Sequence, residues 1–264
     1  MTVRTIQQLF DLTGKTALVT GGSRGLGLQL AQALGEAGAK VMLSSRKADD
    51  LVQAAAQLKS AGIEVDWIAA DCSKEADIRA LADETIKRFG HVDILVNNAG
   101  ATWGAPAEDH PVEAWDKVMN LNVRGYFILS QHIAKHSMIP RKSGRIINVA
   151  SIAGLGGNPP EMTMLAYNTS KGAVINFTRA LGCEWGQYNI TVNAICPGFF
   201  PSKMTMGTLK ALGEEQLAAH APLRRLGDDE DLKGLCVLYA SSAGKHITAQ
   251  WLAVDGGVSA VTAG

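Results

Sequence analysis

The stretch "TALVTGGSRGLG", Thr16 to Gly27, joins a short apolar run to a loop with four glycines and one arginine. Gly21, Gly25 and Gly27 have the spacing G-x-x-x-G-x-G. A strand that ends near residue 20 and passes into a helix makes a tight turn, where free backbone N–H groups bind anions and glycines let a diphosphate approach. A glycine triplet alone is also typical of a tight turn without a ligand. The segments that follow therefore decide between these two interpretations.

The second apolar run, "KVMLSS" at residues 40–45, ends on Ser45 and is followed by Arg46. Folds that bind NAD usually place an acidic residue here, which holds the ribose 2′-hydroxyl. A carboxylate repels a 2′-phosphate, whereas a guanidinium donates paired, charge-assisted hydrogen bonds to it. Arg46, together with Arg24 of the glycine loop, therefore predicts NADP(H) as the cofactor. The alternative is that both arginines are ordinary solvated charges.

Short apolar runs alternate with longer segments of helical period along the whole chain. The seven runs are "TALVT", "KVMLSS", "EVDWIAA", "DILVNN", "RIINVAS", "ITVNAIC" and "WLAVDGG". This alternation predicts an α/β fold, a single doubly wound Rossmann-type domain over residues 1–264, with a seven-stranded parallel sheet and helices on both faces. Residues 199–222 break the alternation with an apolar, methionine-rich stretch, which predicts a substrate lid.

The composition excludes several classes of partner. The chain has 264 residues, of which 47% are hydrophobic, and its 25 basic and 25 acidic residues give no net charge. This balance predicts no nucleic-acid partner. No run approaches the ~18 apolar residues of a membrane span, and the start lacks a signal-peptide core, so we expect a cytoplasmic protein without a membrane partner. Four well-separated cysteines and scattered histidines show no metal-ligand spacing, so no metal is predicted.

Five motifs follow one another along almost the whole chain. They are "TGGSRGLG", "NNAG" at residues 97–100, "YNTSK" at residues 167–171, "CPG" at residues 196–198 and "VDGG" at residues 254–257. In this order the sequence resembles the short-chain dehydrogenase/reductase family. Within the family, it is similar to 3-oxoacyl-(acyl-carrier-protein) reductase-type members, including those of the rhamnolipid pathway type. Gluconate 5-dehydrogenase-like members are similar as well.

Tyr167 and Lys171 are four residues apart in a predicted helix, so their side chains share one face. A phenol pKa of about 10 is high for proton transfer at neutral pH, and an adjacent ammonium is expected to lower it. This pairing predicts Tyr167 as the general acid and base. The same spacing also occurs by chance between a surface tyrosine and a lysine.

The resemblance implies two further catalytic residues. Ser151, at the end of the run "RIINVAS", matches the serine that hydrogen-bonds the substrate oxygen, although a serine there is also typical of a helix cap. Asn122 matches the asparagine that holds a water next to the lysine. Asn120, two residues earlier, is the alternative assignment.

The resemblance also implies a set of cofactor contacts after the predicted strands. Asp71 would contact the adenine amino group, Ser202 would lie near the nicotinamide carboxamide, and Asn97 would brace the central strands. Ordinary turn roles are the alternative for Asp71 and Ser202. The full set is Gly21, Ser23, Arg24, Gly25, Leu26, Gly27, Ser45, Arg46, Asp71, Cys72, Asn98, Ala99, Gly100, Tyr167, Lys171, Pro197, Gly198 and Ser202.

Five large apolar residues are candidates for a substrate pocket, namely Trp103, Phe199, Phe200, Met204 and Met206. Methionines and aromatics adapt to irregular ligands, but they also fill cores and interfaces. As a pocket, they favour a β-ketoacyl thioester or another hydrophobic ketone as the substrate. A gluconate 5-dehydrogenase-like sugar-acid oxidoreductase is the alternative, and a non-catalytic nucleotide-binding regulator is a third interpretation.

The remaining expectations concern the pocket mouth, carrier docking and assembly. The loop at residues 151–167 is longer than in many relatives, with two prolines and paired glycines. Arg124, Arg224 and Arg225 are either docking charges for an acyl carrier or solvated surface charges. The segment "VDGGVSAVTAG" resembles the part through which relatives pack, which implies a homotetramer, although Ala249 stands where relatives often have glycine.

Overall fold

The computed structural model describes residues 3–261, together with their side chains except those of Thr208, Ala211 and Leu212. Seven strands form one sheet in the order β3-β2-β1-β4-β5-β6-β7, and every neighbouring pair is parallel. The strands are β1 Thr16–Thr20, β2 Lys40–Ser45, β3 Val65–Ala69, β4 Ile94–Asn97, β5 Gly144–Val149, β6 Ile190–Pro197 and β7 Trp251–Val254. The predicted fold class is confirmed.

Eleven α-helices are found in the described part of the chain. They are α1 Ile6–Phe10, α2 Gly25–Glu36, α3 Ala48–Ser60, α4 Glu75–Phe89, α5 Val112–Met119, α6 Gly125–Ile133, α7 Ile139–Arg141, α8 Leu165–Trp185, α9 Met206–Leu212, α10 Glu214–His220 and α11 Lys233–Ala240. A π-helical turn, Asn120–Arg124, joins α5 to α6, and a second, Ala134–Met138, joins α6 to α7. None of the helices within residues 3–261 is long and apolar enough to cross a membrane.

Helices cover both faces of the sheet because its strands are apolar on both sides. Leu18 and Val19 are neighbours in β1 and are both fully buried, but they belong to two different core clusters. Successive strand residues point to opposite faces, so each cluster marks one face. Leu34 of α2 and Cys236 of α11 pack with Val19, whereas residues of α4 and α6 pack with Leu18, including Leu81.

The strand order reverses between β1 and β4, which are neighbours in the sheet. In open parallel sheets, ligands bind outside the carboxyl ends of the strands at such a point. As predicted, Asn97 braces the central strands, because its Nδ2 donates to Oδ1 of Asn148 in β5 at 2.9 Å and to Oγ of Ser130 in α6 at 3.0 Å. The sheet edge beside the reversal is therefore a rigid support for a site.

Candidate active site

The glycine-rich loop joins β1 to α2 in a conformation that requires glycine. Gly21 and Gly25 have φ values of +65° and +52°, in the left-handed region. A Cβ on Gly27 would lie 2.2 Å from the carbonyl oxygen of Gly21 and 2.4 Å from Nδ2 of Asn98. The N-cap residue of α2, Arg24, makes no side-chain cap hydrogen bond. The first turn of α2 thus presents its backbone N–H groups and the positive end of its dipole without a covering side chain.

Two guanidinium groups flank this loop. Arg24 is exposed, and its Nη1 lies 3.3 Å from Oδ2 of Asp50, near the start of α3. Arg46, also exposed, directly follows β2. Ser45 ends β2, and its Oγ is buried without a hydrogen-bond partner in the part of the chain that the structure describes. The unpaired hydroxyl of Ser45 and the exposed guanidinium groups of Arg24 and Arg46 are suited to bind a polar anionic ligand.

Asp71 follows β3 and lies close to Arg46. Burial raises the pKa of Asp71, but hydrogen bonds from Ser73 and the positive charges of Arg46 and Lys74 outweigh burial and hold that pKa below its usual value. Its Oδ1 accepts from the backbone N–H of Ser73 at 3.0 Å and from the Ser73 hydroxyl at 2.8 Å. The carboxylate is therefore ionised and fixed in orientation.

The other predicted cofactor residues lie at the same edge of the sheet. Asn98 follows β4, and its Nδ2 donates to the carbonyl oxygens of Thr20 at 2.9 Å and Gly21 at 3.2 Å, which fixes the glycine loop. Ser202 lies opposite this loop, since a Cβ added to Gly25 would be 3.8 Å from the Cβ of Ser202. The residues grouped at this edge also include Ser23, Leu26, Cys72, Ala99, Gly100, Pro197 and Gly198.

Lys171 is buried beneath the site, on α8. It is 3% exposed, and its Nζ donates to the carbonyl oxygen of Val149 at 2.7 Å. Its Nζ also lies 5.6 Å from the ring centre of Tyr167 and 5.8 Å from that of Tyr126. Burial lowers the pKa of Lys171 to about 8, so the ammonium form still predominates at neutral pH.

Tyr167 and Ser151 face one cavity at the carboxyl edge of the sheet. Burial raises the pKa of the Tyr167 phenol above its usual value, and the nearby Ser151 hydroxyl lowers it by less. The expectation that Lys171 brings this pKa down is wrong for this structure, because its ammonium is bonded to a backbone carbonyl and desolvation dominates. At neutral pH the phenol therefore carries its proton.

Asn122 lies in the π-helical turn Asn120–Arg124 and is fully buried. Its Nδ2 donates to Oγ of Ser170 at 2.9 Å, and its side chain exchanges hydrogen bonds with the backbone of Ala101 at 2.8 and 2.9 Å. Asn120 instead donates to the carbonyl oxygen of Ser73 at 2.8 Å. Asn122 is thus joined to α8 at Ser170, the residue before Lys171. Asn120 is joined to the loop after β3.

The cavity beside Tyr167 has a volume of about 670 Å³. Its walls come from the loop after β5, the segment after β6 and the residues after β7. The lining contains Glu161 and no lysine or arginine among the described side chains. The lining residues are Thr102, Ser151, Ile152, Ala153, Leu155, Gly156, Gly157, Asn158, Pro159, Glu161, Met162, Met164, Tyr167, Gly198, Phe199, Met204, Thr205, Gln216, Leu217, His220, Val258, Ser259 and Val261.

Of the five apolar residues expected to form this pocket, Phe199 and Met204 line it. Phe200 does not, because it is 3% exposed and packs in the core against α2 and α11. Trp103 and Met206 are exposed and lie outside the lining. The loop at residues 151–167, which the sequence placed at the pocket mouth, supplies most of one wall of the cavity.

This loop is held in place by hydrogen bonds on both sides. The backbone N–H of Ala105 donates to the carbonyl oxygen of Thr163 at 2.9 Å, in a short parallel bridge. Nδ2 of Asn158 donates to Oδ1 of Asn168 at 3.1 Å, on the first turns of α8. The wall is therefore tied to the helix that carries Tyr167.

The three arginines considered for carrier docking all have partners in the chain. Arg124 contacts Glu75, and Arg225 donates two hydrogen bonds to Asp231, at 2.5 and 2.6 Å. Arg224 donates to the carbonyl oxygen of Ala219. These three side chains are exposed, but each donates hydrogen bonds within the chain, so together they form no free basic patch.

The C-terminal segment proposed for assembly is described only to Val261, and residues 262–264 lie outside the described part. Trp251 and Leu252 of β7, at the edge of the sheet, are 36% and 50% exposed. Ala249, just before this strand, has a φ of +60°. The position therefore has a backbone conformation that favours glycine.

Comparison with known proteins agrees with this geometry. The family description "short chain dehydrogenase" matches residues 15–212. The rhamnolipids biosynthesis 3-oxoacyl-(acyl-carrier-protein) reductase of Pseudomonas aeruginosa is 39% identical over 254 residues, which cover 94% of this chain and 97% of that protein. The gluconate 5-dehydrogenase of Gluconobacter oxydans is 36% identical over 257 residues, covering 95% and 97%.

Solved structures give the same assignment. The crystal structure of a gluconate 5-dehydrogenase from Burkholderia cenocepacia, in complex with NADP and tartrate, has a TM-score of 0.92 at 34% identity and covers 98% of this chain and 100% of that one. The chain therefore belongs to the short-chain dehydrogenase/reductase family and is an oxidoreductase. The family that the motifs predicted is confirmed.

Proposed function

We propose that this chain is an NADPH-dependent oxidoreductase that interconverts a ketone and a secondary alcohol. One observation carries the proposal: the proton-bearing phenol of Tyr167 and the hydroxyl of Ser151 face a cavity at the same sheet edge as the bare glycine loop. Lys171 is buried directly behind the phenol.

The residues present fit NADP(H). The N-terminus of α2 suits a diphosphate, and Ser45, whose hydroxyl has no partner among the described residues, would help to hold the ribose or its phosphate. Arg24 and Arg46 supply the charge for a 2′-phosphate, and no carboxylate ends β2 to repel it. A relative that shares this fold was solved in complex with NADP. When bound, the cofactor supplies the hydride.

The protein side of the reaction follows from the environment of each group. Ser151 holds the substrate oxygen within reach of Tyr167, and the phenol gives its proton to that oxygen during reduction. The raised pKa of Tyr167 keeps on the phenol, at neutral pH, the proton that reduction consumes. Lys171 supplies a positive charge behind the phenol, and Asn122 fixes the middle of the π-helical turn against α8.

The cavity supports a hydrophobic ketone or a β-ketoacyl thioester as the substrate. Ile152, Leu155, Met162, Phe199 and Met204 give it long apolar walls. A sugar acid carries a carboxylate, and the described lining contains the carboxylate of Glu161 and no lysine or arginine. Asn158, Gln216 and His220 also line the cavity and supply polar groups. Burying an anion without a charged partner is costly. The relatives include enzymes of both kinds, and the lining favours the apolar class.

Residues 199–222 form the lid of this pocket in our proposal. Two short helices, α9 and α10, follow one another in this segment. Met204, Gln216, Leu217 and His220 face the cavity from it. Short helices that end at a glycine, here Gly213 with a φ of +82°, can move as units about that residue.

Assembly and location are part of the same proposal. Trp251 and Leu252 expose apolar surface on the last strand, which suits packing against a second copy. We propose a cytoplasmic homotetramer. Light scattering on the purified protein would test the assembly by measuring its molar mass in solution. A monomer in solution would contradict it.

The experiment that tests the function measures NADPH oxidation with a panel of β-ketoacyl thioesters, hydrophobic ketones and sugar keto-acids. We expect turnover with the first two classes. Tyr167→Phe should lower turnover at least about 100-fold, because it removes the proton donor, while NADPH binding measured by fluorescence stays unchanged. Tyr188→Phe, on the short helix after α8, is the matched control.

Two outcomes would contradict the proposal. Turnover by Tyr167→Phe at the wild-type rate would remove the phenol from the mechanism. Absence of turnover across the whole panel by a wild-type protein that binds NADPH would refute the reductase itself. Turnover confined to the sugar keto-acids would overturn the substrate class and leave the reaction type intact.

A further inference from the structure

A second tyrosine, outside the group that the proposed mechanism uses, contacts the buried lysine. Tyr126 belongs to α6, is 2% exposed and packs in a small core cluster with Val174 and Cys196. Nζ of Lys171 lies 5.8 Å from the centre of its ring. The Tyr126 hydroxyl donates to the carbonyl oxygen of Val149 at 3.3 Å, the same oxygen that accepts from Lys171 at 2.7 Å.

The ammonium of Lys171 therefore lies near two aromatic rings and one carbonyl oxygen. The second ring is that of Tyr167, 5.6 Å from Nζ. Among the residues that the structure describes, Val149 supplies the one hydrogen-bond acceptor for this ammonium. An ammonium within about 6 Å of a ring centre is attracted by the ring quadrupole, and the attraction grows when water is excluded. Removing one ring therefore removes a large part of what stabilises the charge.

We propose that Tyr126 is a positioning residue of the active site, whose aromatic ring stabilises the ammonium of Lys171. This inference rests on the proposed function for its catalytic consequence. The effect of the ring on the charge of Lys171 does not depend on that function. Tyr126 is buried and does not line the cavity, so it acts through Lys171.

The other groups that face Lys171 are few and do not replace this ring. Tyr167 is on the same helix, and burial keeps its phenol neutral. Cys196 of β6 is the nearest thiol, and burial raises its pKa to about 11. Burial also raises the pKa of Tyr126 well above its usual value, so it offers a neutral ring and not a counter-anion. The charge of Lys171 thus depends on dipoles and rings.

The test compares two variants at the same position. Tyr126→Phe keeps the ring and loses the hydroxyl, whereas Tyr126→Met keeps a long, adaptable apolar side chain and loses the ring. We expect the pKa of Lys171 to stay near 8 in Tyr126→Phe. We expect it to fall by about one unit in Tyr126→Met, because the ring stabilises the charged form.

Two readouts measure this shift. The first is a titration of ¹³Cε-labelled lysine by NMR, in which the Lys171 signal is assigned by its loss in Lys171→Arg; it needs no substrate. The second is the pH profile of kcat, whose alkaline limb should move to lower pH by the same amount in Tyr126→Met and stay in place in Tyr126→Phe. Tyr126→Leu replaces the methionine variant if that variant does not fold.

The outcomes separate this inference from the proposed function. Equal lysine titrations in the phenylalanine and methionine variants would overturn the role of the ring, and Tyr126 would then be a packing residue. A wild-type protein without any ketone turnover would refute the proposed function, while the NMR titration would still decide the inference. A shift in the NMR titration without a shift in the kcat profile would refute the catalytic consequence.

Discussion

Replacement of Gly27 by alanine tests whether the loop after β1 is a cofactor cradle. The added Cβ would lie 2.2 Å from the carbonyl oxygen of Gly21, whereas carbon and oxygen atoms normally stay about 3.3 Å or more apart. The backbone of the loop must therefore move by roughly 1 Å. A misplacement of this size in a binding site weakens function about 100-fold. We expect the Kd for NADPH, measured by fluorescence titration, to rise about 100-fold in Gly27→Ala.

The control for this prediction is Gly234→Ala. Gly234 lies in α11, and a Cβ there would have no heavy atom within 4 Å. An alanine in such an open helical position raises the free energy of unfolding by up to about 1 kcal/mol and should leave NADPH binding unchanged. Wild-type affinity for NADPH in a folded Gly27→Ala protein would refute the cradle, because the clash would then have been absorbed without harm to the site.

Three other predictions address cofactor choice, pH dependence and backbone strain. Arg46→Asp should weaken NADPH binding about 10- to 100-fold by calorimetry without weakening NADH binding. Lys245→Asp, at an exposed lysine between α11 and β7, is the control and should leave both affinities unchanged. An equal loss for both cofactors would contradict the assignment. The kcat for reduction should be constant at neutral pH and fall as the pH rises through about 8, because Lys171 loses its charge above its lowered pKa. A fall in kcat only near pH 10.5, the ordinary lysine pKa, would refute the role of a lysine with a lowered pKa. Ala249→Gly should raise the free energy of unfolding, measured by urea denaturation, by about 1 kcal/mol, because Ala249 has a φ of +60°. An unchanged free energy of unfolding would show that this backbone conformation is unstrained.

The fold was predictable because its signals are local and repeated. Each strand of a parallel sheet with two covered faces is a continuous apolar run, and all seven runs appear as strands. The glycine loop was predictable for a similar reason. Backbone conformations such as those of Gly21 and Gly25 leave a direct trace in the sequence.

The pocket was harder to predict because an apolar residue after a strand can face a ligand, the core or solvent. Phe200 lies in the core and Phe199 lines the cavity, although the two are adjacent residues of the same type. The loop with Ile152 and Met162 is held as a wall in part by its bridge to the chain at Ala105. That contact joins segments far apart in sequence, and no local pattern records it.

The electrostatic expectations failed where they depended on burial and partners. The spacing of Tyr167 and Lys171 placed both on one helix face, but it did not show that desolvation would outweigh the ammonium. Arg225 appeared as a free charge in the sequence, and in the structure it is paired with Asp231, whose pKa falls to about 2 through that pairing. Charge pairs of this kind depend on loop geometry that a single sequence does not specify.

The most direct test of the central claim is a crystal structure of the chain with NADPH bound. The account predicts the diphosphate on the first turn of α2, the 2′-phosphate between Arg24 and Arg46, and the nicotinamide ring beside Tyr167 and Ser151. A dinucleotide bound elsewhere, or a nicotinamide ring remote from the Tyr167 phenol, would contradict it.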